Sequence, residues 1–240
     1  MGIELHSAFG IIVDIAIIIF LIGGIVVGYK RGFLENTVRL VGSIIAIVVA
    51  YLLKDPLSVY LYTNLPFFPL SGKLEGVSVI NVIIYELISF VVLWILVSIV
   101  LAILAKILKL EKLTITLVTK LRIPNKILGV IFGFVESYLF VYFLVLIAMF
   151  VANMFDYDMD KRLASYIFKT PVLHETFSPA YNALVDISSI AVEYENSNDK
   201  IAFNADAVEI LIKYDLVSEE NIDLLIEQGK IQIEHKEVEE

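Results

Sequence analysis

Lys106-Ile-Leu-Lys-Leu-Glu-Lys-Leu-Thr-Ile-Thr-Leu-Val-Thr-Lys-Leu-Arg-Ile-Pro-Asn-Lys126 is the stretch that decides how this chain folds. Six of the chain's 18 Lys and Arg residues fall in it: Lys106, Lys109, Lys112, Lys120, Arg122 and Lys126. They face one acid, Glu111, and long apolar stretches flank the run on both sides. A second basic knot, Lys30, Arg31 and Arg39, separates two earlier apolar stretches. Positive charge beside membrane-spanning helices stays cytoplasmic. The pattern therefore speaks to class, orientation and location together.

Working outward, the apolar stretches predict four spans at about 9–28, 33–53, 79–105 and 127–152. A helix needs about 20 residues to cross a hydrocarbon core. The second span is the weakest; Lys54, Asp55 and Pro56 are expected to stop it, and its helix is expected to start near Phe33. Basic residues are many in the first and third connections and few in the second and before the first span. That alternation predicts an extracytoplasmic N-terminus, two cytoplasmic connections and an extracytoplasmic tail. The expected fold class is an all-α membrane protein of four transmembrane helices with a small helical C-terminal tail. The expected divisions are a transmembrane domain over 1–152, juxtamembrane amphipathic helices over 153–194, and an acidic helical hairpin with a disordered end over 195–240.

Composition agrees. Hydrophobic residues make up 59% of the chain and the mean hydropathy is +0.85, above the usual range for soluble domains. The net charge of −9 is uneven: from residue 153 onward nineteen acids face seven bases. Such a tail is a poor partner for nucleic acid, since phosphate contact needs a basic surface. The absence of cysteine removes disulfides, thiolate metal sites and Cys nucleophiles. No basic n-region precedes the first span, so it reads as retained rather than cleaved.

Two features inside the spans carry candidate function. Gly24, Gly28 and Gly32 are four apart, as are Gly129 and Gly133. That spacing puts them on one helix face, where backbones can approach closely, within one chain or between copies. Three carboxylates, Asp14, Glu86 and Glu136, fall within spans, where acids are costly and face a bundle interior or water. They form either a proton or cation path or neutral packing contacts with neighbours such as Ser89, Ser137 or Tyr138. No Lys or Arg is expected deep enough to pair with them, and Glu35 with Arg39 reads as a local i, i+4 pair.

The third connection has the composition of an amphipathic interfacial helix with Lys on its wet face. Anionic lipid head groups are its candidate partners, besides the bilayer itself. The second connection, 54–78, is rich in Pro and Gly and reads as a loop on the outer leaflet, with Tyr60, Tyr62, Phe67 and Phe68 at the interface. His6, His174 and His235 are far apart, and no phosphate loop, nucleophile elbow or zinc motif is present. No enzymatic activity, cofactor or metal is expected.

The same residues resemble the colicin V production protein family (CvpA). The matching features are Asp14, then Gly28-Tyr29-Lys30-Arg31-Gly32-Phe33 turning into Leu40-Val41-Gly42. Asn125-Lys126-Ile127-Leu128-Gly129-Val130-Ile131-Phe132-Gly133 opens the last span in a similar way, and Leu163 to Leu173 resembles the family's helix entry beyond the membrane. The resemblance covers about 10–185 and implies a bacterial inner-membrane protein linked to bacteriocin production or export and to envelope homeostasis. It implies no catalytic residues. Partners would be a second copy or other envelope proteins. The competing reading is a small transporter or channel subunit that uses the three carboxylates.

In the tail, 156–192 reads as short helices broken at Pro171 and Pro179, expected to pack back on the rim of the bundle. Residues 195–199 read as a linker. Ala205–Tyr214 and Glu219–Gln228 read as two small helices, the second capped by Ser218 and ended by Gly229. A hairpin this small needs something to dock on.

Overall fold

The computed structural model describes residues 2–70, 77–108, 125–155, 157–194 and 199–233. Lys109, Lys112, Lys120 and Arg122, with the expected interfacial helix, lie outside them, as do 195–198 and the final stretch from 234. The described elements are helices: α1 (Gly2–Arg31), α2 (Phe33–Asn64), α3 (Ile80–Ile107), α4 (Asn125–Met154), α5 (Leu163–Phe168), α6 (Pro171–Tyr194), α7 (Lys200–Lys213) and α8 (Glu219–Glu227). Four of them, α1 to α4, are long and apolar enough to cross a membrane. Their outward faces carry Ile12, Leu52 and Ile107, each 65–67% exposed. Apolar residues at this density on a surface are what lipid, not water, accepts.

A single residue separates α1 from α2. Gly32 takes φ +85°, a left-handed conformation that side chains resist. Its N–H still donates to the Gly28 carbonyl at 2.9 Å, and the chain re-enters helix at Phe33.

The expected stop at Lys54-Asp55-Pro56 does not occur: α2 runs through Pro56 to Asn64. Proline removes one N–H and crowds the carbonyl four residues back, which kinks or breaks a helix unless packing holds it. Here Ser58 Oγ donates to the Asp55 carbonyl at 2.9 Å, and Tyr62 is 1% exposed. So residues 55–64 are helix rather than leaflet loop, and Tyr62 is a core residue rather than an interface aromatic. Likewise α6 passes through Pro179, and Pro171 opens it, a position where the missing N–H costs nothing.

The chain divides into two compact units whose boundaries fall within α2, α3 and α4. The first comprises 1–54, 90–148 and 159–168. Here α1 crosses α4, and α5 packs on α1. An aromatic cluster runs from the buried Phe143 to the half-buried Trp94 and the exposed Phe140, with Trp94 4.9 Å from Phe143 and 5.9 Å from Phe140 between ring centres.

The second comprises 55–89, 149–158 and 169–240. Its core includes Leu184, Ile187, Leu211, Leu225 and Ile231, all within 1% of complete burial. Asn81 clamps the Phe68 backbone, accepting its N–H at 2.7 Å and donating to its carbonyl at 3.3 Å. The tail helices dock here. α7 packs on α6, and the Tyr214 hydroxyl donates to Asp186 at 2.9 Å. Burial, then this bond and the Asp186 charge, push the Tyr214 phenol above its ordinary value.

Helix α7 starts at Lys200, earlier than the pattern suggests, because Asp199 caps it by accepting the Ala202 N–H at 3.0 Å. Ser218 caps α8. Gly229, at φ +67°, ends it with the paired bonds Gly229 N–H to Ile226 and Lys230 N–H to Leu225, both 2.9 Å. That turn delivers the Lys230 ammonium to the open end of α2. It donates to the carbonyls of Tyr62, Thr63 and Leu65 at 2.7, 2.5 and 3.0 Å and sits over the Phe67 ring. Burial lowers the Lys230 pKa from its ordinary value.

Candidate functional site

The site lies in the first unit and starts from the glycines. Gly24 and Gly28 of α1 with Gly32 at its end face Gly129 and Gly133 of α4. A Cβ added at Gly133 would sit 2.5 Å from the Gly24 carbonyl oxygen and 2.7 Å from Gly28 Cα. At Gly129 it would lie 2.7 Å from Gly32 Cα. Only hydrogen at these positions lets the two backbones meet.

Asn36 locks the contact. It is fully buried, and its Nδ2 donates to three carbonyls: Gly32 at 2.8 Å, Gly28 at 2.9 Å and Gly129 at 3.2 Å. One amide thus ties α1, the turn and α4 to the start of α2. Its Oδ1 is buried without a hydrogen-bond partner among the described residues. Asn125 adds a second tie, accepting the Phe33 N–H at 2.7 Å. Sequence reading missed Asn36. The available signal was register: residues 24, 28, 32 and 36 continue one spacing of four.

Glu136 is one turn deeper in α4 than Gly133. Its carboxylate accepts from Arg39 Nε at 3.2 Å. This corrects two expectations. A base does reach an intramembrane acid, and Glu35 pairs with Arg31 at 3.2 Å instead of with Arg39. The reason is reach. Arg39 lies about 9 Å along α2 from Phe33 and Glu136 about 16 Å along α4 from Asn125. The long Arg39 side chain extends inward to cover the difference, where a lone arginine would snorkel outward.

Asp14, in α1, is also engaged. Its Oδ2 lies 3.9 Å from Arg162 Nη1, and its Oδ1 accepts the Ala164 N–H at 3.4 Å, holding α5 to α1. Asp14 and Glu136 therefore have separate guanidinium partners, and the two serines suggested as neighbours of the span acids donate to backbone carbonyls. Ser137 Oγ donates to the Phe134 carbonyl at 2.9 Å and Ser89 Oγ to the Tyr85 carbonyl at 2.7 Å. Glu86 belongs to the second unit, where it is 5% exposed. Of the basic connection, Lys126 places its ammonium 5.2 Å from the Tyr29 ring centre, and Lys106 lies in the last turn of α3.

A cavity of about 700 Å³ opens beside the crossing. Its walls include Phe20, Ile47, Trp94 and Phe140, and its polar lining includes Arg31, Asn36, Arg39 and Glu136. A second, smaller cavity of about 150 Å³ shares Arg39, Ser43, Ser98 and Glu136 with it. The ion pair and two hydroxyls thus form a polar partition between two apolar spaces. Such a cleft can hold an amphiphile, apolar along its length and polar at one end.

Four apolar helices around such a cleft define a multipass α-helical membrane protein. The chain belongs to the colicin V production protein family, which it matches over residues 13–170. It is similar to the uncharacterized transmembrane protein YshB of Bacillus subtilis (strain 168), with 31% identity over 146 residues, covering 56% of this chain and 76% of that protein. No solved structure matches it.

Proposed function

We propose that this chain is a non-enzymatic protein of the bacterial cytoplasmic membrane that assists production or export of a bacteriocin-type toxin and upkeep of the envelope, acting by contact with other envelope components. The observation that carries the reading is the first unit's use of its chemistry for cohesion. Asp14 and Glu136 are each held by a guanidinium, and glycines close the α1–α4 contact. Family membership supplies the biological context. In this reading the basic connections face the cytoplasm and both termini lie outside. The test is a deletion strain carrying a colicin V-type toxin operon. Secreted toxin and tolerance of detergent are both expected to fall and to return with the full chain. Unchanged secretion and tolerance would refute the proposal. Alkaline phosphatase fused after residue 240 should be active in intact cells if the orientation holds.

One observation favours the second reading, a transporter or channel subunit: Glu136 and Arg39 line two adjoining cavities. Asp14→Asn, Glu86→Gln and Glu136→Gln, singly and together, discriminate. Full complementation by all of them removes ion transport through carboxylates.

A further inference from the structure

We propose that the larger cleft of the first unit is a binding site for one anionic glycerophospholipid, with its phosphate between Arg31 and Arg39 and an acyl chain along the Phe20–Trp94–Phe140 wall. The inference stands apart from toxin production and needs none of it.

Arg39 donates through Nε to Glu136, and its terminal amino groups have no hydrogen-bond partner among the described residues. The Arg39 side chain lines the cleft and is 48% exposed, so these amino groups are open to an incoming anion. Arg31 faces the same cleft, meeting Glu35 through Nε. Two planar forks at one rim suit phosphate oxygens, which guanidinium groups bind bidentately.

Beyond the arginines, Asn36, Glu136 and the hydroxyls of Ser43, Ser98 and Ser137, the lining is apolar and aromatic, and the cleft's volume of about 700 Å³ admits an acyl chain. Its charged rim lies at the end of the helices carrying the Lys30-Arg31 knot and Lys126, the end where basic pockets between spans take up anionic head groups. A free phosphate would fill the rim and leave the aromatic wall bare. That favours the lipid.

The chain's single tryptophan, Trp94, lines the cleft and reports on its contents. The full-length protein is reconstituted into vesicles of phosphatidylcholine containing brominated phosphatidylglycerol, or brominated phosphatidylcholine, at increasing mole fraction. Half-maximal quenching of Trp94 is expected at a mole fraction about fivefold lower for the glycerol lipid for each participating guanidinium. Excess unlabelled phosphatidylglycerol should relieve the quenching, and equal unlabelled phosphatidylcholine should not. Arg31→Gln, and Arg39→Gln combined with Glu136→Gln, should each move the curve toward that of phosphatidylcholine at unchanged helicity. Equal quenching by the two lipids in the wild-type protein overturns the proposal. So does preference retained in helical variants. Relief by inorganic phosphate, but not by chloride at the same ionic strength, overturns the lipid assignment in favour of a phosphate site.

Discussion

Adding one methyl group at the α1–α4 crossing should separate this protein's stability from that of a variant altered one residue away. Gly24 and Gly23 are neighbours in α1, yet a Cβ at Gly24 would fall 2.8 Å from the Gly133 carbonyl oxygen, while one at Gly23 meets nothing within 4 Å. Ordinary contact lies at 3.4–4 Å, so the helices must part by roughly 1 Å to admit the methyl, and overpacking of this kind costs about 1–3 kcal/mol. Gly23→Ala meets no such clash and removes a flexible residue from a helix, a gain of about 0.5–1 kcal/mol. The two substitutions should therefore differ by about 2 kcal/mol or more, some thirtyfold in the unfolding equilibrium. Gly28→Ala, Gly129→Ala and Gly133→Ala should group with Gly24→Ala, and Gly42→Ala with Gly23→Ala. The assay is reversible unfolding in mixed micelles, followed by circular dichroism and by Trp94 fluorescence. If the four crossing alanines are as stable as Gly23→Ala, the backbones do not touch and the role given to Asn36 collapses with them.

Asn36→Ala should cost about 1–3 kcal/mol through three abandoned carbonyls. Asn36→Asp should cost more, because an ionised carboxylate accepts only and would face three acceptors; the same unfolding assay ranks them. Lys230→Met should destabilise the second unit by about 1–3 kcal/mol, since charged donors to three carbonyls at the end of α2 are lost, detectable as earlier proteolysis near residue 65. Asp14→Asn should stay within about 1 kcal/mol of the parent because an amide oxygen still accepts the Ala164 N–H, whereas Asp14→Ala should loosen α5 by about 1 kcal/mol, as lost caps do. The Tyr214 phenol titrates above its ordinary 10.0, so folding favours its protonated form. The stability it contributes is intact below pH 10 and is lost as pH climbs through the raised value. Tyr214→Phe should flatten that alkaline loss, and the difference in phenolate absorbance between parent and variant should show late titration.

The four spans were legible because membrane insertion is decided by length, apolarity and flanking charge, all of which are local. Ser218 and Gly229 were legible for the same reason: a cap is written within five residues of the helix end it serves. The glycines announced a close face but not its partner, since spacing carries no information about the opposing helix. What sequence hid was long-range. Glu35 stood at the right distance to satisfy Arg39, so nothing suggested that Arg39 reaches Glu136, 97 residues away. Pro56 signalled a stop that local rules demand, and it was overruled by packing around Tyr62 and by Lys230, which lies 168 residues beyond Tyr62. Asn36 looked like an ordinary polar residue in a first turn, because a three-carbonyl acceptor set exists only once α1 and α4 have met.

Gly32 also bears on how the protein is made. With one residue between helices of 30 and 32 residues, the linker spans at most about 3.6 Å, too little slack for one helix to rest in lipid while the other waits in an aqueous conduit. The pair must leave the insertion machinery as a finished hairpin, its glycine bend leading or trailing as a unit. Lys30, Arg31 and Arg39 cluster around that bend, and moving each across the bilayer centre costs about 2.5–3.5 kcal/mol. In the orientation proposed above, with the basic connections cytoplasmic, the bend is also the point at which the nascent chain is pinned to the side of synthesis.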